Sequence, residues 1–467
     1  MKQSNTTRWS QVALNAGFLC MALHCPGAVE GAIDDAPKEL LFVPRKIDGP
    51  VHDPAQHTYW FGPFAECATV LDINADGKLD IAAGRNYYLG PDFTKFADYR
   101  DGAEANGPDV DDNYEGTMDV NNDGRPDVLS SGWMRRQGIW WYENPGKTGV
   151  KWKSHALLED DGVEGMVIGN LSGRGEKDVL VNYFARKPGR SLIWFEHIDQ
   201  PPWFRKHVLG PENIGVSHGA GIGDINGDGR NDVVTTSGWF EAPPHPAEDP
   251  WIWHPDYQFS AYGADGRPGG AGLPILITDV NGDGLNDIIM GSDHGYGLAW
   301  FEQRLDGGKR TFVKHWIETD YPTFHTMALA DLDGDGKPEL ITGKQLFAHN
   351  GGDVGAFQPV FVFYYKFNRG RFERHIISYS YLTPYFGAGS ENTPPPNDVV
   401  GVGMRLQVAD IDGDGRPDII IPCKTGLYIF YNKGYMPRQG GVNYLPGRTT
   451  YPTHRDWTAP RQPRTGQ

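Results

Sequence analysis

Six times along the chain an acidic loop recurs with the spacing Asp-x-Asn/Asp-x-Asp-Gly-x-x-Asp/Glu, each copy followed at once by an apolar run. The copies are Asp72, Asn74, Asp76, Asp80; Asp119, Asn121, Asp123, Asp127; Asp224, Asn226, Asp228, Asp232; Asp279, Asn281, Asp283, Asp287; Asp331, Asp333, Asp335, Glu339; and Asp410, Asp412, Asp414, Asp418. A seventh, eroded copy runs from Asn170 to Asp178 and carries Arg174 at the fifth position. The first positions step by 47, 51, 54, 55, 52 and 79 residues, so six steps join seven units. A period of this length marks a repeat architecture, in which one small unit buries its apolar face against copies of itself.

Each unit reads as four strands. An apolar strand enters the loop, as in His218 to Gly223, and a β-branched strand leaves it, as in Asp232-Val-Val-Thr-Thr. An aromatic strand follows, at Trp140 to Glu143, Trp194 to Glu196, Trp239 to Glu241, Trp300 to Glu302, Phe361 to Tyr365 and Tyr428 to Tyr431. A fourth carries aromatic-x-x-His, at Trp152 to His155, Phe204 to His207, Phe312 to His315 and Phe372 to His375. Four strands per period of about fifty residues predict an all-β fold, a seven-bladed β-propeller of four-stranded antiparallel blades. Leu41 to Ile47 resembles the fourth strand, while the last unit stops after its third at Tyr431. The N-terminal strand is therefore expected to complete the seventh blade and close the ring, leaving no unpaired edge. The propeller spans 40–432, and the Pro-, Gly- and Arg-rich stretch 433–467 reads as a surface tail. The long sixth step implies insertions near 344–358 and 380–398, the kind of loop in which function concentrates.

The loops have the chemistry of a calcium site. Side-chain oxygens at positions 1, 3, 5 and 9 and a carbonyl at position 7 can wrap a hard cation, and Gly at position 6 permits the tight turn. With no bidentate Glu at position 12, and with strands on both sides, each loop is expected to be a structural clip, giving up to six Ca2+ sites. In the eroded copy the Arg174 guanidinium is expected to fill the space of the missing ion, leaving that blade metal-free. On these six loops the chain resembles the FG-GAP or VCBS-type calcium-loop repeat family over residues 40–432. The resemblance implies a seven-bladed propeller with structural calcium and leaves activity open, since the family includes adhesion modules, lectins and enzymes. The Trp-Phe-Glu and aromatic-x-x-His strands look like the propeller part of aldos-2-ulose dehydratase, a sugar lyase whose cupin domains have no counterpart in this sequence.

Composition excludes other classes. Net charge is −17, and three acids in each of four loops with four in each of two place twenty acidic side chains at the candidate ligand positions. Without a basic run, nucleic-acid binding is rejected, because phosphate contacts need clustered Lys and Arg. Lys2 and Arg8, the apolar stretch Val12 to Leu23 and small residues through Ala32 follow the order of a signal peptide over 1–32, so a secreted or periplasmic location is expected. No other segment is long and apolar enough for a membrane span. Past the leader, Cys67 and Cys423 remain, in the first and last units, either as buried thiols or as a ring-closing disulfide.

The starts of the inner strands and the links from second to third strands share the face opposite the acidic loops. His218, His325, Glu164 and Arg405 there are candidate catalytic residues, as base, acid, cation or ligands of an additional divalent metal in the funnel. Glu66, Arg85, Tyr87, Asn113, Trp133, Arg135, Trp239, His294 and Lys344 are candidate substrate-binding residues. Aromatic faces stack on sugars, Arg and Lys hold carboxylate or sulfate, and His with Glu moves protons. Two readings stand: a carbohydrate-binding or carbohydrate-acting funnel, as sugar dehydratase, isomerase or polysaccharide lyase, and a non-catalytic adhesion, lectin or scaffold module with a protein partner on the rim. The outer-strand histidines His155, His207, His315 and His375 are expected to bond neighbouring backbone.

Overall fold

A computed structural model describes residues 39–435 except 50–63, 104, 107–108, 160–161, 176, 184–190, 216–218, 261–269, 347, 349–351, 357 and 381–398. The expected leader, most of the expected tail and the second insertion lie outside the described residues.

The strands form seven four-stranded antiparallel sheets, with a small extra hairpin at Ala105–Asn106 and Asp109–Val110. In six blades the strands follow one another in chain order from the inner strand outward. The inner strands are short and rich in small residues, as in Ala220–Gly223 and Met327–Ala330, whereas outer strands reach the length of Lys309–Pro322. Small residues suit a position where blades converge. Gly272 is an instance, since a Cβ there would lie 2.4 Å from the carbonyl oxygens of Phe324 and His325 on the next blade. The seventh blade closes as expected: Leu40–Asp48 pairs with Gly426–Tyr435, Val43 opposite Tyr431 and Lys46 opposite Tyr428. Gly426–Tyr435 also carries the strand past residue 432, so Lys433, Gly434 and Tyr435 belong to the propeller and not to the tail.

Apolar faces of neighbouring blades make the core. Tyr114, Leu129, Ile139 and Trp141 of the second blade pack with Val163, Met166, Val181 and Phe195 of the third. Each such side chain contributes about 1.5–3 kcal/mol when fully buried. Polar ties also run between neighbouring blades around the ring. Asn144 Nδ2 donates to the Ile73 carbonyl at 3.0 Å, Gln303 Nε2 to Ile225 at 3.0 Å and Asn432 Nδ2 to Leu332 at 2.7 Å, while His197 Nε2 lies 2.7 Å from the Val120 carbonyl. Each joins the residue that follows an aromatic segment to the acidic loop of the preceding blade.

The outer-strand histidines differ from expectation. His375 stacks on Tyr364 at 4.6 Å and lies 3.2 Å from a Glu39 oxygen, while His155, His207 and His315, together with His254, which was not among those expected, sit directly opposite Trp141, Trp194, Trp300 and Trp239 and stack on them at 4.0–4.7 Å between ring centroids. Each ring also meets a carboxylate two residues beyond its Trp, Glu143, Glu196, Glu241 or Glu302, at 2.8–2.9 Å. The reason is strand geometry: residues i and i+2 share a face, so a cross-strand His reaches both. The partner is a side chain, not backbone. Cys67 and Cys423 are free and buried, and Cys423 Sγ sits 3.1 Å from Thr425 Oγ1.

Candidate functional site

The acidic loops are organised by their own carboxylates. In the first loop, Asp72 accepts the N–H of Asp76 and Gly77, Asn74 accepts Asp76 N–H, and Asp76 accepts Lys78 N–H, at 2.9–3.1 Å. The other five intact loops repeat the pattern, as at Asp224 and Asp228. The ninth residue has a role that sequence reading missed. Asp80 ties Ile73 N–H with one oxygen and Gly90 N–H with the other, both at 2.8 Å, joining the loop to the third strand. Asp127, Asp232, Asp287 and Asp418 do the same. Burial first, then the neighbouring loop acids, push Asp80, Asp287 and Asp418 up to about 6 and Asp127 and Asp232 up to about 7. Ligand atoms of Asp331, Asp333 and Glu339, and of Asp410, Asp412 and Asp418, come within 4.8 Å of one another. Lysines enter these two loops: Lys366 pairs with Asp333 and lies 3.3 Å from Asp335, and Lys433 lies 2.7 Å from Asp412.

The eroded loop is a correction. Arg174 does not lie among the loop oxygens in place of an ion. It donates to Glu196 and Asp199, each at 3.1 Å, while the ninth residue of its own loop, Asp178, is occupied by backbone N–H groups.

On the opposite face, three blades converge. Glu164 lies where the register slips between Val163 and Gly165, a bulge of the kind that re-aims a side chain. His325 precedes the inner strand Met327–Ala330, and its carbonyl accepts Leu273 N–H at 2.9 Å, which pins the fifth blade to the sixth. His294 stands in the link between Asp287–Gly291 and Tyr296–Asp306, its N–H bonded to Asp293 Oδ1 at 2.6 Å. One ligand atom from each of Glu164, His294 and His325 falls within 4.8 Å of the other two, with Glu164 and His325 buried. Asp353 Oδ2 lies 3.0 Å from His294 Nδ1. Sequence reading did not single out Asp353, although it falls in the insertion at 344–358. The one signal available was that insertion's position.

Cations of the sixth and seventh blades stand at the same ends of their strands, Lys344 after Glu339–Gly343, Lys424 after Asp418–Cys423 and Arg405 before Gln407–Ala409. Arg405 lies 4.0 Å over the Tyr114 ring, and among the described residues no carboxylate is within ion-pair distance of it. Burial pushes its guanidinium down to about 10. Lys424 pairs with Glu66 at 3.0 Å, and Gln345 Nε2 lies 3.4 Å from the other Glu66 oxygen, so Glu66 is neutralised within the protein. Lys344 is wholly buried, its ammonium donating to the Ala356 carbonyl at 3.2 Å, and burial pushes it down to about 7. Asn113 is buried at the start of its inner strand, with Asn113 N–H bonded to Ser131 at 3.0 Å.

Other expected site residues lie elsewhere. Trp239 is core, stacked on His254 with its indole N–H bonded to Asp256 Oδ2 at 3.0 Å. Tyr87 is also core, stacked on Phe96 with its hydroxyl accepting Gly149 N–H at 2.7 Å. Both point into blade interfaces because the aromatic strand alternates faces and these positions fall on the buried one. Arg85 is exposed and paired with Asp98 at 2.8 Å, Arg135 is exposed, and Trp133 is half-buried. His218 lies outside the described residues.

Fold and motif together define the class: a seven-bladed β-propeller with acidic-loop repeats, two stretches of which match a known repeat family. The FG-GAP-like repeat family matches residues 119–181 and 279–342, each segment opening on the first Asp of an acidic loop. No curated protein is significantly similar in sequence. Solved structures with a similar fold include the exotype rhamnogalacturonan lyase YesX, 12% identical over 84% of this chain and 75% of that one, with a TM-score of 0.45. A Bacillus licheniformis rhamnogalacturonan lyase is 12% identical with the same coverages and a TM-score of 0.42. BBS1N in complex with ARL6DN is 10% identical over 85% of this chain and 99% of that one, with a TM-score of 0.41. These likenesses concern the fold alone.

Proposed function

We propose that the protein is a secreted, calcium-stabilised propeller that binds carbohydrate at the funnel face and acts on it as a carbon–oxygen lyase, a sugar dehydratase or polysaccharide lyase. The observation that carries this reading is the convergence of Glu164, His294 and His325 from three different blades at the mouth opposite the acidic loops. Polar groups gathered from separate elements, two of them buried, are the usual make-up of a ligand site.

β-Elimination removes a proton beside a carbonyl or carboxylate, stabilises the resulting enolate with positive charge and breaks the carbon–oxygen bond at the β position. Arg405, held on Tyr114 without a carboxylate partner among the described residues, supports a fixed cation for a substrate carboxylate or carbonyl. The Glu164, His294 and His325 centre supplies groups able to move the proton or polarise the carbonyl. Asn113 adds a hydrogen-bonding side chain and Trp133 a half-buried aromatic face. Calcium belongs to the loops on the other face, where the pre-bonded oxygens of positions 1, 3 and 5 and the reachable ninth carboxylate suit a hard cation.

The test is detection of unsaturated products across uronic-acid polysaccharides and ketosugars, comparing the native protein with Arg405→Ala and His325→Ala. Turnover on one substrate, lowered at least about 100-fold in both variants, supports the reading. Glycan binding without turnover across the panel replaces it with a lectin. Absence of both leaves an adhesion or scaffold module acting through its rim.

A further inference from the structure

We propose that Glu164, His294 and His325 bind one divalent transition-metal ion of the Zn2+, Co2+ or Mn2+ type, a site distinct in chemistry from the acidic loops. The proposal shares residues with the functional reading above but not its test.

The donor set is two imidazoles and one carboxylate, with ligand atoms within 4.8 Å of one another. Ligands about 2.0–2.2 Å from a common ion lie a little over 3 Å apart, so a small rotamer adjustment brings the three into a coordination sphere. Nitrogen donors select against Ca2+ and Mg2+, which prefer oxygen, and three protein ligands leave a coordination position open. The acidic loops offer oxygen alone. The same chain therefore sorts two kinds of metal by ligand type, one at each face.

A second observation is independent of the ligand atoms. Asp353 Oδ2 stands 3.0 Å from His294 Nδ1, so the proton of the neutral imidazole belongs on Nδ1 and the lone pair on Nε2. A carboxylate behind a histidine in this way fixes the tautomer and raises the basicity of the coordinating nitrogen. Charge supports the same assignment. Glu164 is 4% exposed and His325 0%, and an ionised carboxylate buried beside two imidazoles is stabilised by a divalent cation. The backbone holds the set apart from any single loop: the bulge at Glu164, the inner-strand bridge between Leu273 and Thr326, and the tight link at His294 come from three blades.

The experiment is Co2+ titration of the full chain in saturating Ca2+, which keeps the acidic loops filled, followed by visible absorption and metal analysis after dialysis. One retained Co2+ per chain with the d–d bands of a four- or five-coordinate site is expected. His294→Gln, at a half-buried turn position, should remove it while leaving the Ca2+-saturated melting temperature within a few degrees. Asp353→Asn should keep the stoichiometry and weaken affinity about 10–100-fold. No retained Co2+ in the native protein, or retention unchanged in His294→Gln, overturns the proposal. Metal binding without turnover would sink the lyase reading alone, and turnover without metal binding would sink this site alone.

Discussion

His207 lies flat on Trp194 with ring centroids 4.5 Å apart and reaches Glu196 at 2.9 Å. Glu196 also receives Arg174 and Arg205, so this one carboxylate gathers the histidine and two guanidinium groups. His207→Ala should cost about 1–2 kcal/mol in chemical denaturation through the lost stack and charge-assisted bond, with no change in glycan binding. A change in binding at unaltered stability would remove the histidine from its structural role. Lys344 carries the opposite sign. Its folded-state pKa is about 7, below the ordinary lysine value, so between pH 7 and about 10 the unfolded chain holds a proton that the folded one lacks. Stability from this group is therefore lowest below pH 7 and recovers as pH rises. Lys344→Met is expected to raise the melting temperature at pH 6.5 and to have little effect near pH 10, at fixed Ca2+. An equal gain at both values would show that packing and not charge is responsible. At this scale the sequence revealed the repeated histidines but not their partners, because partner choice depends on strand register. It revealed His325 and Glu164 but not Asp353, which reaches His294 only through a long connection. Trp239 and Tyr87 were misplaced because a strand's two faces look alike until the pleat is fixed.

Each acidic loop closes within nine residues, so nearly all of its hydrogen bonds are local and its outline was readable from spacing alone. What spacing could not disclose is the tie from the ninth carboxylate to the third strand, which spans 10–19 residues. That tie makes the loops part of blade structure with or without a cation. Chelation should therefore lower the melting temperature without melting the fold at room temperature, since a ligand bound only by the folded state stabilises it by RT ln(1 + [L]/Kd). An unchanged melting temperature in excess chelator would speak against calcium in the loops. The two loops with four acids add a finer expectation. Lys366 reaches Asp333, Asp335 and Glu339, and so occupies with an ammonium the oxygens a cation would use. Lys366→Met should lower stability in chelator and raise Ca2+ affinity at that loop, widening the gap between the two melting temperatures. A gap that narrows would mean the ammonium supports the ion instead of competing with it.

At the scale of the whole ring, the feature that most affects the molecule is its closing strand. The phase of the repeat places this strand from Leu41 to Ile47, because a unit lacking its fourth strand and an orphan strand at the other end must be complementary. The structure pairs Leu40–Asp48 with Gly426–Tyr435 along its length. Phe42 also contacts Tyr364 of the sixth blade at 6.3 Å between ring centroids, and Tyr88 of the first blade donates to Asp48 at 2.7 Å. One strand therefore touches the sixth, seventh and first blades, across the place where the ring's two ends meet. Removing residues 40–48 would expose the backbone edge of Gly426–Tyr435 and uncouple those blades. Exposed edges pair with other chains, so the truncated protein should self-associate as well as lose stability, about 3 kcal/mol or more. A synthetic peptide of residues 39–49 added in trans should restore the association state of the native chain, since an added strand recovers both backbone bonds and side-chain pockets. Sedimentation velocity with and without the peptide decides the matter. A truncated chain with the association state and melting temperature of the native one would show that the six complete blades and three-stranded seventh already hold the ring, and that the strand merely covers an edge.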